Sequence, residues 1–107
     1  MSLDVWLTAT RPTTVFEYNI THNLATMAGE AGIYQHLWRP EEIPITKAEQ
    51  LIEPLSTALE LMKNDPDRFK KFNPENGWGS YDSLVTFVEK YAEACKINPD
   101  ADISTWR

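Results

Sequence analysis

The sequence predicts a mostly α fold: a compact bundle of about three longer helices and one or two short ones, forming a single helical domain over residues 1–107. Three observations lead there. Apolar residues recur at helical spacing in three segments. Capping residues, Pro and Gly bracket those segments. The chain has 107 residues, is 42% hydrophobic and holds four Trp, four Tyr and four Phe, which is enough for one core and argues against disorder. A two-stranded β ribbon joining the termini accompanies the bundle. Its alternative is two extended tails packed on the helices.

Residues 3–8 alternate, with Leu3, Val5 and Leu7 on one side and Asp4, Trp6 and Thr8 on the other, which is strand periodicity. Arg11-Pro12 ends that strand. Ile20, Leu24, Met27 and Ala31 recur at helical intervals, so a helix is expected there, capped by Asn19 or starting earlier near Thr14, and stopped by Gly32. Thr46-Lys47-Ala48-Glu49 has the form of a capping box. Behind it Ala48, Leu51, Ile52, Leu55, Leu59 and Met62 make one apolar face, interrupted by Pro54, which should kink or split the helix. Asp65-Pro66 opens a short helix reaching Phe72. Residues 73–79 are dense in turn formers, and Ser80 or Gly79 caps a last helix with Leu84, Val88, Tyr91 and Cys95 as its buried stripe. Asn98-Pro99 stops it, and residues 102–106 have an extended look.

Composition excludes several function classes. A net charge of -6 disfavours general nucleic-acid binding, which needs a basic face to displace counterions. One cysteine allows no internal disulfide and fits a reducing compartment. The first residues lack the basic and apolar regions of a signal peptide, and no apolar run is long enough to span a bilayer, so the expected location is cytoplasmic with no membrane partner. His22, His36 and Cys95 are the only soft metal donors and carry no ligand spacing, so neither a metal nor a cofactor is expected.

The residues best suited to contact a ligand lie on loops and helix starts. In Asn76-Gly77-Trp78-Gly79-Ser80-Tyr81, two glycines expose backbone N–H groups at the start of a helix, and Trp78 and Tyr81 offer stacking surfaces. The alternative is an aromatic plug over the core. Arg39, beside Trp38, supplies a charge-assisted bond to phosphate. Asn19, Asn23 and Glu30 flank the apolar stripe and either line a pocket or cap neighbouring loops. His22 points away from the stripe on a helical projection and is a general base, a ligand group or an exposed side chain. Cys95 lies on an apolar stripe, where a thiol is inert. The tentative ligand set is His22, Asn23, Trp38, Arg39, Asn76, Gly77, Trp78 and Tyr81, with no catalytic residue.

Asn19-Ile20-Thr21-His22-Asn23-Leu24, Met27-Ala28, Glu30-Ala31-Gly32-Ile33-Tyr34, Leu37-Trp38-Arg39-Pro40-Glu41-Glu42, Phe72-Asn73-Pro74 and Asn76-Gly77-Trp78-Gly79-Ser80-Tyr81 together resemble a small uncharacterised protein family found in bacteriophage, prophage and bacterial genomes. The resemblance spans nearly the whole chain. It implies the host cytoplasm and an accessory role, such as countering host defences, and no mechanism. The expected function is non-catalytic binding of a small, nucleotide-like ligand. The alternative is a protein–protein interaction module or an inhibitor of a host protein, and the third reading is an enzyme using His22 with a nearby carboxylate. Homo-oligomerisation stays open.

Overall fold

The computed structural model describes residues 2–9 and 13–107. They form strands β1 (Ser2–Thr8), β2 (Thr14–Thr21) and β3 (Asp102–Trp106). The helices are α1 (Ala25–Glu30), α2 (Tyr34–Trp38), α3 (Glu49–Asn64), α4 (Pro66–Lys70) and α5 (Tyr81–Ile97), with tighter 3-10 turns at His22–Leu24 and Pro40–Glu42. The strands make one antiparallel sheet in the order β2-β1-β3. The fold is therefore α+β, and the mostly α bundle expected from the sequence is overturned. The two terminal strands do pair, β1 against β3, but within a three-stranded sheet rather than an isolated ribbon.

The error lies in residues 14–21. Phe16, Tyr18 and Ile20 face the core at strand spacing, while Glu17 and Asn19 are exposed. Ile20 is the last core residue of β2, not the first of a helix. Phe16 stacks on Tyr91 at 5.4 Å between ring centroids, and Tyr18 lies 5.0 Å from Phe87. Two rings from β2 thus interlock with two from α5, and such offset contacts add about 0.5–1.5 kcal/mol per pair beyond burial. Helical geometry would scatter Phe16, Tyr18 and Ile20 around an axis and lose all of this.

Helix begins only at His22. Thr21 is the cap, its hydroxyl accepting from the Asn23 N–H at 3.3 Å. Asn19, expected as the cap, instead donates across the sheet to Ser2 Oγ at 2.8 Å and Asp4 Oδ1 at 2.7 Å. Gly32 follows α1 with φ +79°, the left-handed position a helix stop needs. The expected Arg11-Pro12 strand end lies outside the described residues.

Helix α3 is one element through Pro54. Its start is tied down without the expected capping box: Gln50 Oε1 accepts the N–H groups of Thr46 and Lys47, while Ala48 and Glu49 donate to the carbonyls of Ala101 and Pro99. Residues 46–49 are held against the chain entering β3, which satisfies the orphan donors of a helix start from outside. Ser80 caps α5, accepting from the Ser83 N–H at 3.1 Å. Leu3, Val5 and Leu7 are fully buried beneath the helices, with Leu51, Leu55 and Met62 of α3 and Leu84, Val88 and Tyr91 of α5. None of the described side chains on the sheet's other face is buried. Among the described residues no helix is long and apolar enough to cross a membrane.

Candidate functional site

The end of β2 and the loop before α5 meet at a groove. Asn76 starts the meeting: its Oδ1 accepts the Trp78 N–H at 3.0 Å, closing a local turn. Gly77 and Gly79 then take φ of +75° and +92°. The two glycines differ in what surrounds them. A Cβ on Gly77 meets nothing within 4 Å, whereas one on Gly79 falls 2.7 Å from Thr21 Cγ2 and 3.0 Å from Leu24 Cγ. Gly79 therefore lets the loop backbone lie directly on the 3-10 turn after β2. That approach brings Asn23 Nδ2 to 3.4 Å from both Asn76 Oδ1 and the Trp78 carbonyl.

The groove so formed has a volume of about 590 Å³. Asn19, Thr21, His22 and Asn23 line one side, with Asn76 and Trp78 opposite and Ser2 at the end. Among the described residues no charged side chain lines it. Trp78 is 70% exposed, so an indole face stands over amides and hydroxyls. Among the described residues the Asn23 side chain makes only the two long bonds given above, weak by geometry and easily exchanged for a ligand's.

His22 forms the inner wall. The buried indole of Trp38 donates from Nε1 to His22 Nδ1 at 2.7 Å. An accepting Nδ1 places the proton of the neutral ring on Nε2, leaving a donor there. His22 also lines a smaller pocket of about 250 Å³ with Tyr34, Trp38, Arg39 and Arg107. There Arg39 donates to the Tyr34 hydroxyl at 3.2 Å and to Glu42 at 3.1 Å, and these partners raise its already high pKa. Arg107 donates to the Trp38 carbonyl and to Glu41, and holds the Glu41 carboxyl below the usual range.

Of the residues singled out in the sequence, Asn19, His22, Asn23, Asn76 and Trp78 share the groove, and Gly77 lies in its turn. Trp38 supports His22 from beneath. Arg39 lies in the adjoining pocket. Tyr81 is in the core, its hydroxyl donating to the Met62 carbonyl at 2.7 Å and its backbone N–H bound by Asn73. Glu30 pairs with Arg68 at 2.6 Å. Ser2 and Thr21 line the groove and were not singled out. The signal that places them is the alternation of β1 and β2, which sets both on the uncovered face of one cross-strand pair.

A second hollow of about 540 Å³ lies between the turn after α1 and the first turns of α3. It has no aromatic ring, and Glu49 and Glu53 line it. It offers less for recognition than the groove, where a stacking face and paired amides converge. Among the described residues no three His, Cys, Asp or Glu side chains are placed to hold a metal ion. Cys95 is fully buried, and burial pushes its thiol up to about 12. His36 has a buried Nδ1 with no partner among the described residues, and desolvation lowers its pKa.

Fold and site together define an α+β protein with helices on one face of a three-stranded antiparallel sheet and an uncharged, amide-lined groove at the end of β2. Comparison of the chain with models of known protein families, with curated proteins and with solved structures finds no match.

Proposed function

We propose that this protein is a non-catalytic binder of a small, nucleoside-like ligand, acting as a phage-type accessory protein. The observation that carries the reading is the convergence of Trp78, Asn23, Asn76 and His22 on one groove whose described lining residues bear no charge. An indole face stacks on any nucleobase, and carboxamides match the donor and acceptor edges that bases present. A neutral lining suits the uncharged base and sugar. A phosphate, where present, falls to Arg39 and Arg107 in the pocket beyond His22.

Binding is favoured over catalysis by what surrounds His22. One ring nitrogen is committed to Trp38, and among the described residues no carboxylate lines the groove to orient the other. On the sheet, the Asp4 carboxylate accepts from Asn19 Nδ2 at 2.7 Å.

The test is calorimetric titration with the four ribonucleosides and their 5′-monophosphates. Stacking on one aromatic ring is worth about 1–3 kcal/mol, so Trp78→Ala is expected to weaken binding about five-fold to a hundred-fold. Asn23→Ala is expected to change which base is preferred. Arg39→Ala is expected to weaken the monophosphates and spare the nucleosides. Binding that survives both Trp78→Ala and Asn23→Ala removes the groove from the account.

A further inference from the structure

The sheet has a second face, on which none of the described side chains is buried. β1 is its central strand, paired on both sides, and central strands are ordinarily packed on both faces or polar on the open one. Here the open face carries Trp6 at its centre and Trp106, 70% exposed, on β3. The register fixes their surroundings. Trp6 lies between Glu17 and Ser104, and Asp4 lies between Asn19 and Trp106. Directly opposed residues project to the same side, so two indoles and two carboxylates form one diagonal checker on the face.

The charges select what can sit there. Asp4 and Glu17 have no cationic partner among the described residues. Among the described residues Lys47 is the ammonium paired at this face, bound to Asp102 at its far end. An indole face beside a carboxylate attracts a guanidinium or ammonium twice over, through the ring quadrupole and through the opposite charge. A second copy of this chain would set Asp4 and Glu17 against themselves in a chain of net charge -6. A nucleic-acid strand meets the same repulsion.

We propose that the open face of the sheet, with Trp6, Trp106, Asp4 and Glu17 as its contacts, is a docking surface for an arginine- or lysine-bearing segment of another protein. Its cationic side chains lie over the two indoles and reach the carboxylate beside each. This surface does not depend on the groove, and either stands if the other fails.

The experiment is a titration of the 15N-labelled 107-residue chain with an eight-residue peptide alternating Arg and Gly. The indole N–H signals of Trp6 and Trp106 are the readout. Parallel titrations use the alternating Glu and Gly peptide and an oligo-dT strand. The expected result is that only the Arg peptide moves both indoles, with an affinity that falls with salt. Trp106→Ala and Glu17→Gln should each weaken it about two- to five-fold, the worth of one exposed cation contact. Ile97→Ala, an exposed apolar residue outside this face, should not. Silence of both indoles at millimolar Arg peptide overturns the proposal, as does equal response to the Glu peptide. Stronger response to oligo-dT replaces it with strand binding, and indole shifts on simple concentration of the protein replace it with self-association.

Discussion

The hydrogen bond from Trp38 to His22 ties the inner wall of the groove to the core, and its removal has a calculable cost. Trp38 is 2% exposed, and its indole N–H has His22 Nδ1 as partner at 2.7 Å. Truncation of His22 to Ala leaves that donor without its acceptor. A buried donor so stranded costs about 1–3 kcal/mol. With a urea m-value of about 2 kcal/mol/M for a domain of this size, a 2 kcal/mol loss moves the unfolding midpoint by about 1 M. Trp38→Phe removes the donor and also some packing, so its own cost is not diagnostic. The diagnostic quantity is the coupling. In the Trp38→Phe background, His22→Ala has no donor to strand and should cost several-fold less. The cycle is measured by urea unfolding of four proteins, with a coupling of about 1–2 kcal/mol expected. Additivity within about 0.4 kcal/mol would refute the reasoning. Nitrogen shifts of the His22 ring give an independent check, since an accepting Nδ1 requires the Nε2–H tautomer in the native protein.

Gly77→Ala and Gly79→Ala should separate strain from collision. Both place a side chain at positive φ, for about 1–2 kcal/mol, but only Gly79→Ala also drives a Cβ into Thr21 and Leu24, adding about 1–3 kcal/mol; equal midpoints in chemical unfolding would contradict the packing described. Tyr81→Phe deletes a buried bond to the Met62 carbonyl and should cost about 1 kcal/mol by the same measurement without altering the groove. Cys95, buried and with its thiol pushed up to about 12, should resist a thiol reagent at pH 8 until the protein is unfolded in urea. Burial lowers the His36 pKa, so below its ordinary value of 6.5 the unfolded chain binds the proton more readily than the native one; stability should fall as pH drops from above 6.5 and level off below the native pKa, and His36→Gln should flatten that slope in thermal unfolding across pH 5–8.

The helical half of the molecule is written plainly in the chain. Ser80, Leu84, Val88, Tyr91 and Cys95 announce α5, because one amphipathic stripe and one cap repeat the same message. The failure at β2 has a local cause. Ile20, Leu24, Met27 and Ala31 fall at helical intervals by coincidence, since Ile20 belongs to a strand whose own period-two signal, Phe16, Tyr18 and Ile20, ends where the helical one begins. The two periods share a residue, and only pairing with β1 decides between them. The capping box failed for the opposite reason: Thr46 and Lys47 are engaged by β3, more than fifty residues on, and no local pattern carries that. For the site, Asn76, Gly77 and Trp78 were legible as a turn presenting an indole. Its partner was not. That Gly79 seats this turn on Thr21 and Leu24, and so brings Asn76 to Asn23, depends on a contact between segments far apart in sequence. The separation of Arg39 from Trp78 by His22 and Trp38 is likewise a fact of packing.

The most direct test of the groove is a map of where a nucleoside touches the 15N-labelled protein. The side-chain amide signals of Asn23 and Asn76, the indole N–H of Trp78 and the backbone N–H of residues 76–79 should move together and saturate together as adenosine, guanosine, cytidine or uridine is added. Movement confined to the hollow beside Glu49 and Glu53, or no movement with any of the four at millimolar concentration, would contradict the assignment of the groove as the binding site.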